Sequence, residues 1–153
     1  MPPPLAPALS VFAVLSAVLA LVDVRDRRLP DVVVLPGGAV VILLLSIAAA
    51  AVHEPSRSAG VVLGAAGAFL VCLVVHLARP ADFGGGDVKL AGVCGAVLGW
   101  EGAGGVASGL CVGFVAGGIA AVGAVLAGAR RVPLPFGPFL LFGTWWQVLA
   151  RPT

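Results

Sequence analysis

Two aspartates, Asp23 and Asp87, are the residues whose type and placement could support chemistry in this sequence. Each lies where a long apolar segment meets a short charged loop, in the stretches LVDVRDRRLPD (21–31) and DFGGGDVKL (82–90). A carboxylate at the edge of a bilayer is costly to maintain, so it is by default a candidate functional group. Two carboxyl groups that meet can share a proton and activate a water for hydrolysis of an amide bond. The pattern therefore predicts a general acid–base site.

Each aspartate also has a simpler structural interpretation. Asp23 can be a charged stop at the end of the first apolar run, and Asp87 can be the N-cap of a following helix. The three glycines before Asp87 favour a functional role over a simple N-cap, because glycine is costly inside a helix. Such a run is typical of a place where the backbone bends or where another chain must approach closely.

The composition indicates a membrane protein. Of its 153 residues, 60% are hydrophobic and 10% are charged, and the mean hydropathy is +1.13. These values exclude a soluble domain, and we expect residues 1–153 to form a single membrane domain. There is no basic face with interleaved aromatic residues, so we expect no binding of nucleic acid. Three cysteines lie in apolar runs without CxxC spacing, so neither a metal nor another cofactor is expected.

Six apolar runs are predicted to be transmembrane helices, which makes the fold class all-α. A helix needs roughly 20 apolar residues to cross a hydrocarbon core of about 30 Å. The fourth run is too short by itself, so it is either a half-helix or begins near Ala81 and includes the glycines. The second run carries a Pro-Gly-Gly interruption at 36–38. The runs cover about 5–22, 32–52, 59–78, 88–100, 104–127 and 134–150.

The basic residues are distributed asymmetrically along the chain. With six spans, loops 23–31, 79–89 and 128–133 lie on one side of the membrane and hold seven of the nine Lys and Arg residues. The positive-inside rule then makes this side cytoplasmic and places both termini on the extracytoplasmic side. Both aspartate motifs and the proline-broken segment RRVPLPFGPFL (130–140) converge on the cytoplasmic side. The seven residues are Arg25, Arg27, Arg28, Arg79, Lys89, Arg130 and Arg131.

Other features have structural interpretations. Four glycines of the fifth run recur every four residues and predict a surface for close helix packing. We expect Asp31 to be the N-cap of the second span and Pro30 to mark its start. His76 is expected to pack or to form a hydrogen bond, and Trp145 and Trp146 to anchor at the membrane interface. The four glycines are Gly105, Gly109, Gly113 and Gly117.

The motifs resemble those of the type IV prepilin peptidases, membrane aspartic proteases that also include the archaeal preflagellin peptidases. The resemblance covers essentially the whole chain and rests on DVRDRRLPD (23–31), GGGDVKL (84–90) and PFGPFL (135–140). It implies that Asp23 and Asp87 are the catalytic pair. It also implies that this is an integral protein of a prokaryotic cytoplasmic membrane, with its active site facing the cytoplasm.

The resemblance further implies a substrate and supporting residues. The family cleaves the basic leader peptide from prepilins or pseudopilins with two aspartates and a water, and without a metal. Gly84 and Gly86 match its GxGD motif, and Pro30 and Lys89 match supporting positions. Asp31 departs from the family, in which asparagine is common. Larger members also carry an N-terminal domain with paired CxxC motifs and methylate the new N-terminus, so we expect this chain to resemble the short, peptidase-only branch.

Two other functions stay open at this point, as does the oligomeric state. A small ion- or proton-coupled transporter would use Asp23 and Asp87 as relay groups. It predicts polar residues near mid-span, and the apolar runs offer almost none. A non-enzymatic assembly factor of a pilus system is not separated from the peptidase by any motif.

Overall fold

The computed structural model describes residues 3–26, 29–80, 83–128 and 135–150. Within these residues the chain forms helices and no strand, which confirms the all-α prediction. A short 3-10 turn, Pro3–Leu5, precedes the first α-helix. The helices are α1 (Ala6–Asp26), α2 (Asp31–Ala51), α3 (Pro55–Ala78), α4 (Gly85–Gly99), α5 (Ala103–Leu126) and α6 (Gly137–Ala150).

Four of the described helices, α1, α2, α3 and α5, are long and apolar enough to cross a membrane. The other two are shorter, with 15 residues in α4 and 14 in α6. At about 1.5 Å per residue they extend only about 21–23 Å, against a hydrocarbon core of about 30 Å. Six complete crossings and the side of each terminus therefore stay predictions.

Some residues that the predictions used lie outside the described part of the chain. They include Ala81, the alternative start of the fourth span, and five of the nine basic residues. The five are Arg27, Arg28, Arg130, Arg131 and Arg151.

Helix α4 is the centre of the bundle. From Asp87 to Gly99 it is buried throughout, apart from the partly exposed Lys89. It packs against α2, α3, α5 and α6. The approach of α3 is closest, because glycines face each other: a Cβ added at Gly95 would contact the carbonyl group of Gly64. Small residues at such crossings let helix backbones touch. This packing fixes the position of the helix that carries Asp87.

The glycine surface of α5 is confirmed as a site of helix packing within this chain. Gly105, Gly109, Gly113 and Gly117 are all buried. A Cβ at Gly113 would lie 2.9 Å from the carbonyl oxygen of Phe139 in α6. Gly113 and Gly117 therefore contact α6 and the residue before it, whereas Gly105 and Gly109 lie against Leu98 of α4. Helix α6 is one of the helices that hold the site described below.

Some predictions about the course of the helices are wrong. Helix α2 runs unbroken through Pro36, and the glycines after it pack on neighbouring helices: a Cβ at Gly38 would lie 2.5 Å from Val93 Cγ2 of α4. Helix α1 continues to Asp26, so Asp23 lies inside the helix. Trp145 is partly buried, with its ring stacked on Phe12 at 5.4 Å, and its anchoring at the membrane interface stays a prediction.

Candidate active site

Asp23 is the last member of the buried face of α1. Phe12, Ser16 and Leu19 precede it at helical spacing on the same face, and Asp23 itself is only 4% exposed. Its Oδ2 accepts a hydrogen bond from the backbone N–H of Gly137, at 3.1 Å. Gly137 is the first residue of α6, and N–H groups at a helix N-terminus have no partner within their own helix. The carboxyl group therefore stabilises the start of a helix 114 residues further along the chain.

Asp87 is the third residue of α4 and is 9% exposed. Its Oδ2 accepts a hydrogen bond from the backbone N–H of Gly84, at 3.2 Å, and Gly84 is the N-cap of the helix. Among the described residues, its Oδ1 is buried without a hydrogen-bond partner. An unsatisfied buried carboxyl oxygen costs free energy, so its position needs a functional or structural reason. The predicted alternative of Asp87 as N-cap is wrong, because Gly84 takes that position.

The two carboxyl groups interact although the backbones of their helices lie apart. In the described residues, no Cα atom of α1 lies within 8 Å of one in α4, so only side chains reach across. The negative charge of Asp23 nevertheless acts on Asp87. Two carboxyl groups that interact this way do not ionise independently. The structure thus places Asp23 and Asp87 within electrostatic reach of each other, and their role as a catalytic pair stays a prediction.

Two apolar contacts join the segments that carry the carboxyl groups. The rings of Phe83 and Phe136 have centroids 5.1 Å apart. Leu29 lies against both glycine segments, since a Cβ at Gly86 would be 2.7 Å from Leu29 Cβ and one at Gly137 would be 3.5 Å from its Cδ1. The absence of a side chain at Gly86 therefore lets the loop before α2 close over the site.

Pro30 and Lys89, predicted as supporting residues, belong to the start of α2 and to α4. Pro30 is the N-cap of α2 and has extended backbone. Asp31 is the first helical residue, so its predicted role as N-cap is wrong. Its Oδ2 forms a salt bridge of 2.6 Å with Lys89 Nζ, and both side chains are partly exposed. Lys89 therefore joins α4 to the start of α2.

Sequence reasoning missed Phe83, Phe136 and the N–H of Gly137 as components of the site. His76, predicted to pack or to form a hydrogen bond, does the latter: its Nδ1 lies 2.6 Å from the carbonyl oxygen of Phe83. A repeated Phe-Gly pair in the sequence could have indicated these donors. Each carboxyl group is held by the N–H of a glycine that follows a phenylalanine, in DFGGGD and in PFGP.

The described residues contain no group of three or more His, Cys, Asp or Glu side chains that could hold a metal ion. Cys72 and Cys94 are buried and Cys111 is exposed, all as free thiols.

Comparison with known proteins supports the motif assignment. The model of the type IV leader peptidase family matches residues 10–129. The chain is 34% identical, over 138 residues, to a prepilin leader peptidase/N-methyltransferase of Bacillus subtilis (strain 168), covering 88% of this chain and 52% of the relative. It is 36% identical, over 149 residues, to a protein of the same name from Burkholderia pseudomallei (strain 1026b), covering 89% of this chain and 44% of the relative.

The chain thus spans about half the length of the curated relatives that it matches. No solved structure was found to match it. The family model nevertheless covers most of the sequence and includes both Asp23 and Asp87. The chain belongs to the type IV leader peptidase family.

Proposed function

We propose that this chain is a membrane aspartic endopeptidase that removes the basic leader peptide from prepilins or pseudopilins. The observation that carries the proposal is the pair of buried carboxyl groups, Asp23 on α1 and Asp87 on α4, each bound by one glycine N–H. Membership of the family supports the same activity, as do the names of the relatives. N-methylation is not part of the proposal.

In the proposed mechanism the pair holds one proton and one nucleophilic water. The ionised carboxylate takes a proton from the water, and the oxygen of the water attacks the scissile carbonyl carbon. The protonated carboxyl group gives its proton to the carbonyl oxygen. Collapse of the intermediate then breaks the C–N bond. The leaving nitrogen receives the proton taken from the water, and the second carboxyl recovers its own. Asp87 Oδ1 is the buried acceptor that such a water or intermediate would meet.

We propose that the site faces the cytoplasm from within the cytoplasmic membrane. The support is the charge asymmetry of the sequence and the position of both carboxyl groups beside the basic loops. On this proposal residues 1–153 act as one membrane-embedded unit, with α1, α2, α3 and α5 in contact with lipid. Exposed apolar side chains along these helices support that contact, for example Val14, Leu43, Leu63 and Ile119.

Among the described residues, a linked set of polar side chains in the bundle, Ser108, Gln147 and Glu101, forms no hydrogen bond with the carboxyl pair and so does not favour the transporter alternative. Buried hydroxyl groups in the bundle are satisfied locally: Ser16 donates to the carbonyl oxygen of Phe12 at 2.6 Å, and Thr144 to that of Leu140 at 2.9 Å. Neither forms a relay with the carboxyl pair, whereas a proton path needs polar groups in sequence across the membrane.

The proposal is tested by co-expression with a prepilin of the same genome that carries a basic leader, a glycine and a hydrophobic helix. Asp23→Asn and Asp87→Asn keep the size of each side chain and remove its acidity, and we expect neither variant to shorten the prepilin. Asp26→Asn is the matched control, because Asp26 is exposed and lies one helical turn beyond Asp23. Complete processing by either of the first two variants would remove that residue from the mechanism. Normal pilus assembly without any cleavage would favour the assembly factor.

A further inference from the structure

The start of α6 supplies a third component of the site. The N–H of Gly137 reaches Asp23 Oδ2 at 3.1 Å, in a buried hydrogen bond. The N-terminus of a helix carries partial positive charge and favours an anion next to it. The first N–H of α6 therefore has the Asp23 carboxyl group as its acceptor. The same hydrogen bond holds that carboxyl group in place near the end of α1.

Position 137 has no room for a side chain. A Cβ there would lie 2.6 Å from Asp23 Oδ2 and 3.3 Å from its Cγ. Both atoms belong to the movable end of a side chain. A methyl group at this position would therefore displace the carboxyl group and leave the helix packing intact. At Gly143 of the same helix, by contrast, a Cβ would meet the backbone of Gly109 and Gly113, so a methyl group would push α5 and α6 apart.

The residue before Gly137 connects this bond to the second carboxyl group. The ring of Phe136 packs on that of Phe83, with centroids 5.1 Å apart. Phe83 precedes Gly84, whose N–H holds Asp87. The two N–H donors, one for each carboxyl group, thus belong to segments whose aromatic side chains are in contact.

We propose that Gly137 is a positioning residue for Asp23, and that the contact between Phe83 and Phe136 sets the separation of the two carboxyl groups. The inference rests on the proposed peptidase function. Gly137 acts through Asp23 and does not touch the substrate.

The test measures kcat and KM of purified variants on a synthetic prepilin segment, a basic leader followed by glycine and an apolar helix, in detergent micelles. For Gly137→Ala we expect kcat to fall about 10- to 100-fold, the effect of misplacing a catalytic group by a fraction of an ångström to one ångström. KM should stay unchanged, because the substrate-binding surface is intact. The unfolding temperature should fall less than that of Gly143→Ala, because the variant loses one hydrogen bond and keeps the helix packing.

Two glycine variants are the controls. Gly104→Ala lies in the first turn of α5, where a Cβ meets nothing within 4 Å, and should retain both activity and stability. Gly143→Ala should lose stability and activity together. An unchanged kcat in Gly137→Ala, or a loss of kcat explained by a loss of stability equal to that of Gly143→Ala, would overturn the inference.

A second pair of variants covers the case in which Gly137→Ala does not fold. Phe83→Leu and Phe136→Leu keep apolar bulk, and each should lower kcat. The double variant should lose less than the product of the two single effects, because both remove the same contact. Multiplicative losses would refute the coupling. The inference alone fails if the wild type cleaves and the aspartate variants do not, while Gly137→Ala and both phenylalanine variants keep the wild-type kcat. If the aspartate variants cleave, the proposed function fails.

Discussion

The contact between α3 and α4 can be tested with two glycines of the same helix. Gly95 faces α3 so closely that an added Cβ would contact the carbonyl group of Gly64, with the carbonyl carbon 2.9 Å away, and the methyl of Ala68. Gly92 lies one helical turn earlier, and its added Cβ would find its nearest neighbour, Phe69 Cβ, at an ordinary 3.6 Å. Gly95→Ala and Gly92→Ala therefore change the same helix in the same way and differ only in the space available.

The expected magnitudes follow from two opposing effects. Replacing glycine by alanine inside a helix stabilises it by about 1 kcal/mol in both variants. Overpacking at Gly95 costs about 1–3 kcal/mol, towards the upper end because backbone atoms cannot move aside as a side chain can. The propensity gain cancels between the variants, so Gly95→Ala should be about 1–3 kcal/mol less stable than Gly92→Ala. For a chain of this size that corresponds to roughly 2–12 °C in Tm.

Thermal unfolding of both purified variants in the same detergent measures this difference. Gly95→Ala should also process a prepilin more poorly as the temperature rises, because α4 carries Asp87. Equal Tm values for the two variants would show that α3 and α4 do not approach as described, and the position of Asp87 would then need another explanation.

Two further predictions concern residues near the carboxyl pair. Lys89→Ala should change the free energy of unfolding by less than about 1 kcal/mol, because the salt bridge between Lys89 and Asp31 is partly exposed. The variant should also retain turnover of a prepilin segment. A loss of turnover as large as that in Asp87→Asn would show that Lys89 takes part in the chemistry. His76→Phe should lower stability by about 1–3 kcal/mol, because it removes the donor to the carbonyl oxygen of Phe83, whereas His76→Asn should retain most of the stability. Equal unfolding temperatures for the two His76 variants would mean that this hydrogen bond contributes nothing.

The helix boundaries show where sequence reasoning reached its limit. Hydropathy predicts where the chain becomes apolar, but a helix ends where its hydrogen-bonded turns end. Helix α1 therefore extends past the apolar run to Asp26, and α3 begins at Pro55, ahead of the predicted position. Pro36 removes a hydrogen bond from α2, yet the helix continues through it in the bundle, where Gly37 and Gly38 lie close to α1 and α4.

The sequence by itself determined the class of protein and the candidate pair. Apolar runs in a bilayer must satisfy their backbone hydrogen bonds internally, which makes them helices whatever their neighbours are. A carboxyl group at the edge of such a run is costly, so Asp23 and Asp87 are recognisable without a structure. The glycine spacing of α5 likewise predicts a packing surface, because the 3.6-residue period is a local property.

Only the tertiary structure decided what holds these residues. The partner of Asp23 is an N–H group on α6, and that of Lys89 is Asp31 at the start of another helix. Such pairs depend on how helices distant in sequence cross and rotate, and no local period encodes this. The backbone N–H is also common to every residue except proline, so residue type alone cannot show that Gly137 is the donor. Its identity emerges only when the bundle brings the first turn of α6 against the last turns of α1.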